Sequence, residues 1–329
     1  MSRPTPVIRQ QIFDLYWYFA SERQAIFERR LAGTAGPWTD DVILQQYKFC
    51  NVFRAADRVS QYMIRQVIYN DQPSTPEDKL FQIVAFRTFS KESTWESAKD
   101  YLGHYPTLQD LANDEFTKAL EYAKEQNGGL YTGAFILCAN NAYRQPAKHL
   151  NHVELFRHMF LTDNLAEQLL AAPSLEAIYH LLHKYPLMGD FMSYQTAIDL
   201  AYSDLIPFDE NDFVKAGPGS LRGVKKAFVD TKDYTPEEII HWMVNQQDEA
   251  FKRLGLPFNG LFGRPLQAID CQVLFCELDK YCRIAVPELK SARSRMKSSF
   301  APKTTAVQLF FPPKWGVNKK LPRTATLLA

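Results

Sequence analysis

Four stretches of this 329-residue chain concentrate side chains that can do chemistry. In the first, Phe49 to Tyr62, Asn51, Arg54, Arg58 and Gln61 recur at helical spacing. One Asn, two Arg and one Gln make a stripe of donors suited to phosphates or base edges; a solvated or salt-bridged helix face is the competing reading. The second, Tyr185 to Asp199, is a Pro186–Gly189 hairpin leading into an apolar helix, where backbone N–H groups at Gly189 can meet a phosphate. The third, Phe208 to Gly223, sets Asp209, Glu210, Asn211 and Asp212 ahead of Gly217-Pro218-Gly219, and glycines let a ligand approach the backbone closely. It is not a P-loop: GxxxxGK[ST] occurs nowhere in the sequence, so a nucleotide-driven kinase reaction is not expected of these residues alone. In the fourth, Leu266 to Tyr281, a helix would put Asp270, Glu277 and Tyr281 near one face and Gln272 and Asp279 near another. Gln can read a base edge with both ends of its amide. Lys280 can pair with Glu277 three residues away, so a buried ion pair tying helices together is the competing reading there.

The elements that must hold these residues read as helices. Ile8, Ile12, Leu15, Tyr18, Phe19 and Ile26 predict one over Pro6–Leu31. Thr39-Asp40-Asp41 is expected to cap a second helix, or a pair, over Val42–Ile68. Glu77–Phe89, a segment opening at Ser93, and Thr107–Glu125 follow, the last ended by Asn127-Gly128-Gly129. Further helices are predicted at about 130–144, 150–162, 163–171, 174–183, 190–203, 211–217, 236–253 and 266–286. No run of alternating strands and no internal repeat is visible. The reading is an all-α protein: a single helical domain over 1–300, with two intimate lobes joined near 145–185 as the variant, and an irregular, basic, proline-containing tail over 301–329.

Composition bounds the function. Hydrophobic residues make up 46% and charged residues 23%, ordinary for a chain with a core, and aromatics reach 13%. Aromatic rings suit base stacking, although most serve a core. No stretch approaches the roughly 18 apolar residues of a membrane span, and Met1–Arg9 lacks the apolar segment of a signal peptide. Five cysteines without a CxxC pair argue against a disulfide framework or zinc site. A cytosolic monomer with reduced thiols, no metal and no cofactor is therefore expected. The net charge of +1 hides an asymmetry: from Arg283 onward there are ten Lys or Arg and one acid, Glu288. Lys290, Arg293, Arg295, Lys297 and Lys303 are close enough to track phosphates, a solvated tail being the alternative.

Taken together, WTDD at 38–41, FCNVFRAADRVSQYMI at 49–64, the GDF…DL run at 189–200, AGPG…RG at 216–223 and IDCQVLFCELDKY at 269–281 resemble the helical family of thymine hypermodification in phage DNA. That family includes the helical domain of 5-hydroxymethyluridine DNA kinases and the alpha-glutamyl/putrescinyl thymine pyrophosphorylases. It is similar in turn to helix-hairpin-helix DNA glycosylases, in which an L-P-G-x-G hairpin precedes a catalytic aspartate by about twenty residues. Leu187-Met188-Gly189 matches the start of that hairpin, Phe191 replaces its second glycine, and Ser193 stands where a lyase would carry lysine.

The resemblance implies a glycosylase-like all-α architecture and DNA carrying modified pyrimidines as the partner. Its first functional reading is a monofunctional DNA glycosylase that hydrolyses the N-glycosidic bond of a bulky modified pyrimidine, an activity suited to anti-phage defence. A carboxylate beside the sugar would stabilise the developing cation, and the flipped base would need a polar-edged pocket. Motif position assigns the carboxylate to Asp212, with Asp209 and Asp270 next. Asn51, Gln272, Glu277, Lys280, Tyr281 and Phe213 are expected around the base. Arg54, Arg58, Gln61, Gly189, Gly217, Gly219, Arg222, Arg293, Arg295 and Lys297 are expected along the DNA. A transferase or pyrophosphorylase acting on 5-hydroxymethylpyrimidine in DNA, and a non-catalytic DNA-binding module, are the alternatives.

Overall fold

The computed structural model describes residues 3–133, 141–289, 295–296, 299–300, 306–322 and 326–328. Among them are fourteen α-helices and four strands of two or three residues, so the protein is all-α as its periodicity predicts. The chain divides into two compact units, one formed by Met1–Gln61 with Phe213–Ala329 and the other by Tyr62–Asp212.

The first unit opens with β1 (Val7–Ile8), α1 (Gln10–Leu31), α2 (Val42–Gln46) and α3 (Arg58–Tyr62), whose last residue begins the second unit. The second unit holds α4 (Pro76–Phe89), α5 (Glu92–Leu102), α6 (Leu108–Ala112), α7 (Glu115–Asn127), α8 (Lys148–Phe156), α9 (Leu165–Leu170), α10 (Leu175–His183) and α11 (Asp190–Ala201). The chain then returns to the first unit with α12 (Pro218–Ala227), β2 (Phe228–Asp230), α13 (Pro236–Leu254), α14 (Ala268–Ala285), β3 (Ala306–Gln308) and β4 (Thr326–Leu328). β1 pairs antiparallel with β2, and β3 with β4.

In the first unit α1, α12, α13 and α14 pack on one another. Trp17 of α1 is fully buried, its ring edge-on to Phe251 of α13 at 5.1 Å and to Tyr16 at 4.9 Å. α13 shows why its sequence folds locally: Thr235 accepts from the Glu238 amide, the Glu238 carboxylate accepts from the Thr235 amide, Pro236 occupies the first turn, and Gly255 closes the helix at φ 62°. α12 lies tightly along α14. A Cβ on Gly223 would fall 2.1 Å from the Phe275 carbonyl oxygen, and one on Gly219 2.8 Å from Cys276 Sγ. The second unit centres on Phe81, Phe86, Phe89, Trp95, Phe116 and Phe156, all fully buried, with Phe81 edge-on to Phe116 and to Phe160 at 5.5 Å. Arg87 of α4 and Asp199 of α11 form an ion pair inside it.

Three helical expectations need correction. Val42–Ile68 is not one helix but a short pair: α2 ends at Gln46, residues 47–53 are irregular, Arg54–Ala56 is one 3₁₀ turn, and α3 runs directly into a π-helical turn over Met63–Ile68. Carboxylates take the amides that a helix would use there, as Asn51 N donates to Asp57 and Arg54 N to Asp270. The segment 211–217 is irregular, and the helix begins instead at Pro218, so Gly217-Pro218-Gly219 starts α12. Thr107–Glu125 breaks at Asn113-Asp114, where Asp114 takes φ 69°. Of the helix expected at 130–144, residues 134–140 lie outside the described residues and the flanks are not helical.

Candidate functional site

The densest polar constellation of the first unit joins α1, the irregular segment 47–57 and the buried face of α14. Asp270, in the first turn of α14, accepts from the backbone amides of Gln267 and Arg54, each at 3.0 Å. Its carboxylate therefore fastens the segment to the helix start. Asn51 is held on three sides: its amide donates to Asp57 Oδ1 at 2.9 Å, its Nδ2 to the Ala56 carbonyl at 2.8 Å, and its Oδ1 accepts from Arg23 Nη2 at 2.6 Å. Two turns further along α14, Glu277 accepts from the Cys50 amide at 3.2 Å and pairs with Lys280 Nζ at 2.5 Å. The i,i+3 pair expected from sequence is thus present, and it is buried on the carboxylate side.

Electrostatics single out one member. Burial pushes the Asp57 carboxyl up to about 6, although the Asn51 amide and the guanidiniums of Arg23 and Arg54 favour its charge. Asp57 is half-buried, and its Oδ1 accepts from the Asn51 amide. Burial also raises the Cys50 thiol well above its ordinary value, which disfavours the thiolate. Burial opposes the charge on Lys280, yet Glu277 holds the ammonium above its usual range.

The WTDD segment forms the neighbouring wall. Asp41 caps α2, its Oδ1 accepting from the amides of Ile43 and Leu44, while its Oδ2 accepts from Tyr281 at 2.5 Å and Tyr18 at 3.1 Å. Tyr18, Glu22, Arg29, Trp38, Asp40 and Asp41 line an open cavity of about 440 Å³.

Along the seam of α12 and α14, Asp279 is fully buried and meets three cations: Arg222 Nε at 2.9 Å, Lys226 Nζ at 3.1 Å and Arg283 Nη2 at 2.7 Å. Burial alone would raise this carboxyl; the three cations hold it below its ordinary value. Gln272 lies on the same seam, 4% exposed, near Gly217.

The structure thus brings Asn51, Arg54, Asp270, Glu277, Lys280 and Tyr281 into one region of the first unit, with Gln272, Gly217, Gly219 and Arg222 along the α12–α14 seam. Several of their polar atoms are engaged by other protein groups. Asn51 spends its amide on Arg23 and Ala56, and Tyr281 its hydroxyl on Asp41. Gln61 donates to the Ala55 carbonyl and accepts from the Phe310 amide, which makes it a structural tie. Arg58 opens α3, and Phe213 is half-buried at the start of the returning chain. Asp209 and Asp212 sit in an exposed turn of the second unit, where the Asp209 amide donates to Asp212 Oδ2 at 2.8 Å. Gly189 is the N-cap of α11, but the next residue, Asp190, already places a carboxylate there, accepting from Tyr179 at 2.8 Å. Arg295 is exposed and its carbonyl accepts from Arg283. Arg293 and Lys297, like Lys290 and Lys303, lie outside the described residues.

Sequence reasoning missed Arg23 and Asp57. Arg23 was readable as a cation among the apolar positions Tyr16, Phe19, Ala20, Ile26 and Phe27 of α1, while Asp57 gave no periodic signal at all. Among the described residues no group of three or more His, Cys, Asp or Glu is placed to hold a metal ion, and no helix is long and apolar enough to cross a membrane.

Comparison with known proteins then fixes the lineage. A family model described as the 5-hmdU DNA kinase helical domain matches residues 10–291. The 5-hmdU DNA kinase of Bacillus phage SP10 is 27% identical over 298 residues, which cover 85% of this chain and 46% of that protein. This chain therefore spans less than half the length of that relative. No solved structure matches. The relative is a kinase, a phosphotransferase, which overturns the expectation of a DNA N-glycosylase and with it the glycosidic role assigned to Asp212, Asp209 and Asp270. Matched from α1 to just past α14, the chain belongs to the family of 5-hmdU DNA kinase helical domains.

Proposed function

We propose that this chain is the DNA-side module of a base-hypermodification system. It binds DNA carrying a 5-hydroxymethylated pyrimidine and presents the hydroxymethyl oxygen for group transfer, phosphoryl being the group that fits the family. The observation that carries this reading is the family match over residues 10–291. The sequence contains no GxxxxGK[ST] loop, and the proposal is confined to the acceptor side.

Phosphoryl transfer asks little covalent chemistry of a protein and much positioning. In the first unit, Asp57 is the carboxyl best suited to take the proton of an attacking hydroxyl. It is half-buried, one oxygen is fixed by the Asn51 amide, and burial brings it to about 6, within reach of neutral pH. Arg23, Asn51 and Arg54 would hold that carboxylate in place. The hydroxyl oxygen would then form the new O–P bond as the bond to the nucleoside diphosphate leaving group breaks.

The test is equilibrium binding to two duplexes that differ only in thymine against 5-hydroxymethyluracil, followed by incubation with a γ-labelled nucleoside triphosphate and a P-loop kinase partner. Tighter binding of the hydroxymethylated duplex, with label transfer that falls at least about tenfold in Asp57→Asn, is expected. Failure to bind either duplex at low salt overturns the reading. Binding without any loss of transfer in Asp57→Asn removes Asp57 from it.

A further inference from the structure

The N-terminus of α12 is left open by the protein itself. Gly217, its N-cap, has no side chain to accept from the first turn, no acidic residue stands there, and the N–H groups of Gly219 and Ser220 meet no acceptor among the described residues. Two deeply buried polar side chains belong to this helix start and to the helix packed on it. Ser220, in the first turn, has no exposure, and its Oγ has no hydrogen-bond partner. Gln272 reaches over from α14, is 4% exposed and makes no hydrogen bond among the described residues, and its Nε2 lies 3.4 Å from where a Cβ on Gly217 would stand. Buried polar groups without partners are unfavourable and call for explanation. Here the two backbone amides and the Gln272 side-chain amide lie at the positive end of a ten-residue helix. The packing of Gly219 on Cys276 and of Gly223 on Phe275 fixes α12 against α14, so Gln272 and the helix start keep their spacing.

We propose that the start of α12 is a phosphate-binding site, formed by the backbone amides of Gly219 and Ser220 and the side-chain amide of Gln272. Its occupant is a phosphodiester of the DNA. A set of neutral donors matches the single negative charge of a phosphodiester better than the several charges of a free nucleoside triphosphate. The choice of DNA rests on the function proposed above; the phosphate chemistry does not.

Gly217→Asp tests the site without endangering the fold. Gly217 has φ −80° and ψ 170°, which any residue adopts, and an aspartate there would cap α12 itself and accept from Gln272. The full chain is measured for melting temperature, for duplex affinity, and for amide NMR shifts of Gly219 and Ser220 on titration with duplex DNA, a nucleoside triphosphate or inorganic phosphate. We expect the Gly219 and Ser220 signals to move with duplex. In Gly217→Asp we expect them to stay still, with affinity at least about tenfold lower and a melting temperature equal or higher. Gln272→Met, which keeps volume and removes the donor, should lose affinity severalfold. If the wild type binds no duplex, the functional reading fails, and shifts on triphosphate or inorganic phosphate would keep the site with a free phosphate as its ligand. Unmoved amides with all three ligands, or equal duplex affinity in Gly217→Asp, overturn the site.

Discussion

Asp57 and His152 show how burial sets the behaviour of single ionisable groups. The Asp57 carboxyl lies at about 6 in the folded chain, above its ordinary 3.8. A raised folded value means the native state binds the proton more tightly than the unfolded chain, so stability falls as pH rises from about 4 to about 6 and stays lower above that. Asp57→Asn keeps the acceptor for the Asn51 amide and removes the ionisation. It should therefore stabilise the protein at pH 8 by on the order of 2 kcal/mol and have far less effect at pH 4, read as the urea midpoint at each pH. His152 runs the opposite way. Burial lowers it from 6.5 to about 4, and its Nδ1 lies 2.7 Å from the Tyr131 hydroxyl. The unfolded chain then binds more protons between those values, and stability is lost as pH falls from about 6.5 to 4. In His152→Gln that stretch of the acid limb should flatten; an unchanged limb would show that His152 is not the group responsible. Neither residue was legible in the sequence. Asp57 belongs to a segment whose conformation depends on Asn51, Arg23 and Asp270, two of them far away along the chain, and periodicity sees only near neighbours.

At the scale of elements, legibility followed local signals. α13 and α14 were readable to within two residues because a capping box, a first-turn proline or a long apolar period marks them. α12 was missed because its start looks like a turn. Gly217-Pro218-Gly219 reads as loop chemistry until Pro218 is seen at the first helical position and Gly219 and Gly223 are seen against α14. Those glycines record a tertiary requirement with no trace in the helical period. The consequence is testable. Gly223→Ala would set a methyl group 2.1 Å from the Phe275 carbonyl oxygen, where only backbone movement relieves the clash. A loss of about 3 kcal/mol or more in unfolding free energy is expected. Thr235→Ala, which removes one cap of α13 and creates no clash, should cost about 1 kcal/mol. Equal losses in the two variants would show that α12 and α14 are not in close packing.

For the whole molecule, the sequence reading of an all-α protein with a basic end stands, but the chemistry attached to it did not follow from the fold. The same helical reading supported a glycosylase, a transferase and a binding module, and lineage favours group transfer over hydrolysis. The order of the chain has a further consequence. The unit Tyr62–Asp212 is one continuous segment, whereas the other unit is assembled from Met1–Gln61 and Phe213–Ala329. The continuous unit has its own aromatic core and pairs the buried Arg87 with the buried Asp199. A compact segment of that size with a complete core should fold alone. Expressed by itself, residues 62–212 should give a helical circular-dichroism spectrum and a single cooperative urea transition. Residues 1–61 alone should not, because α1 buries Tyr16, Trp17 and Phe19 against Phe251, Phe275 and Tyr281, which arrive only after the chain returns. A 62–212 segment that stays unfolded until the rest of the chain is supplied would mean that its stability depends on residues outside it, and the two units would then be one folding unit.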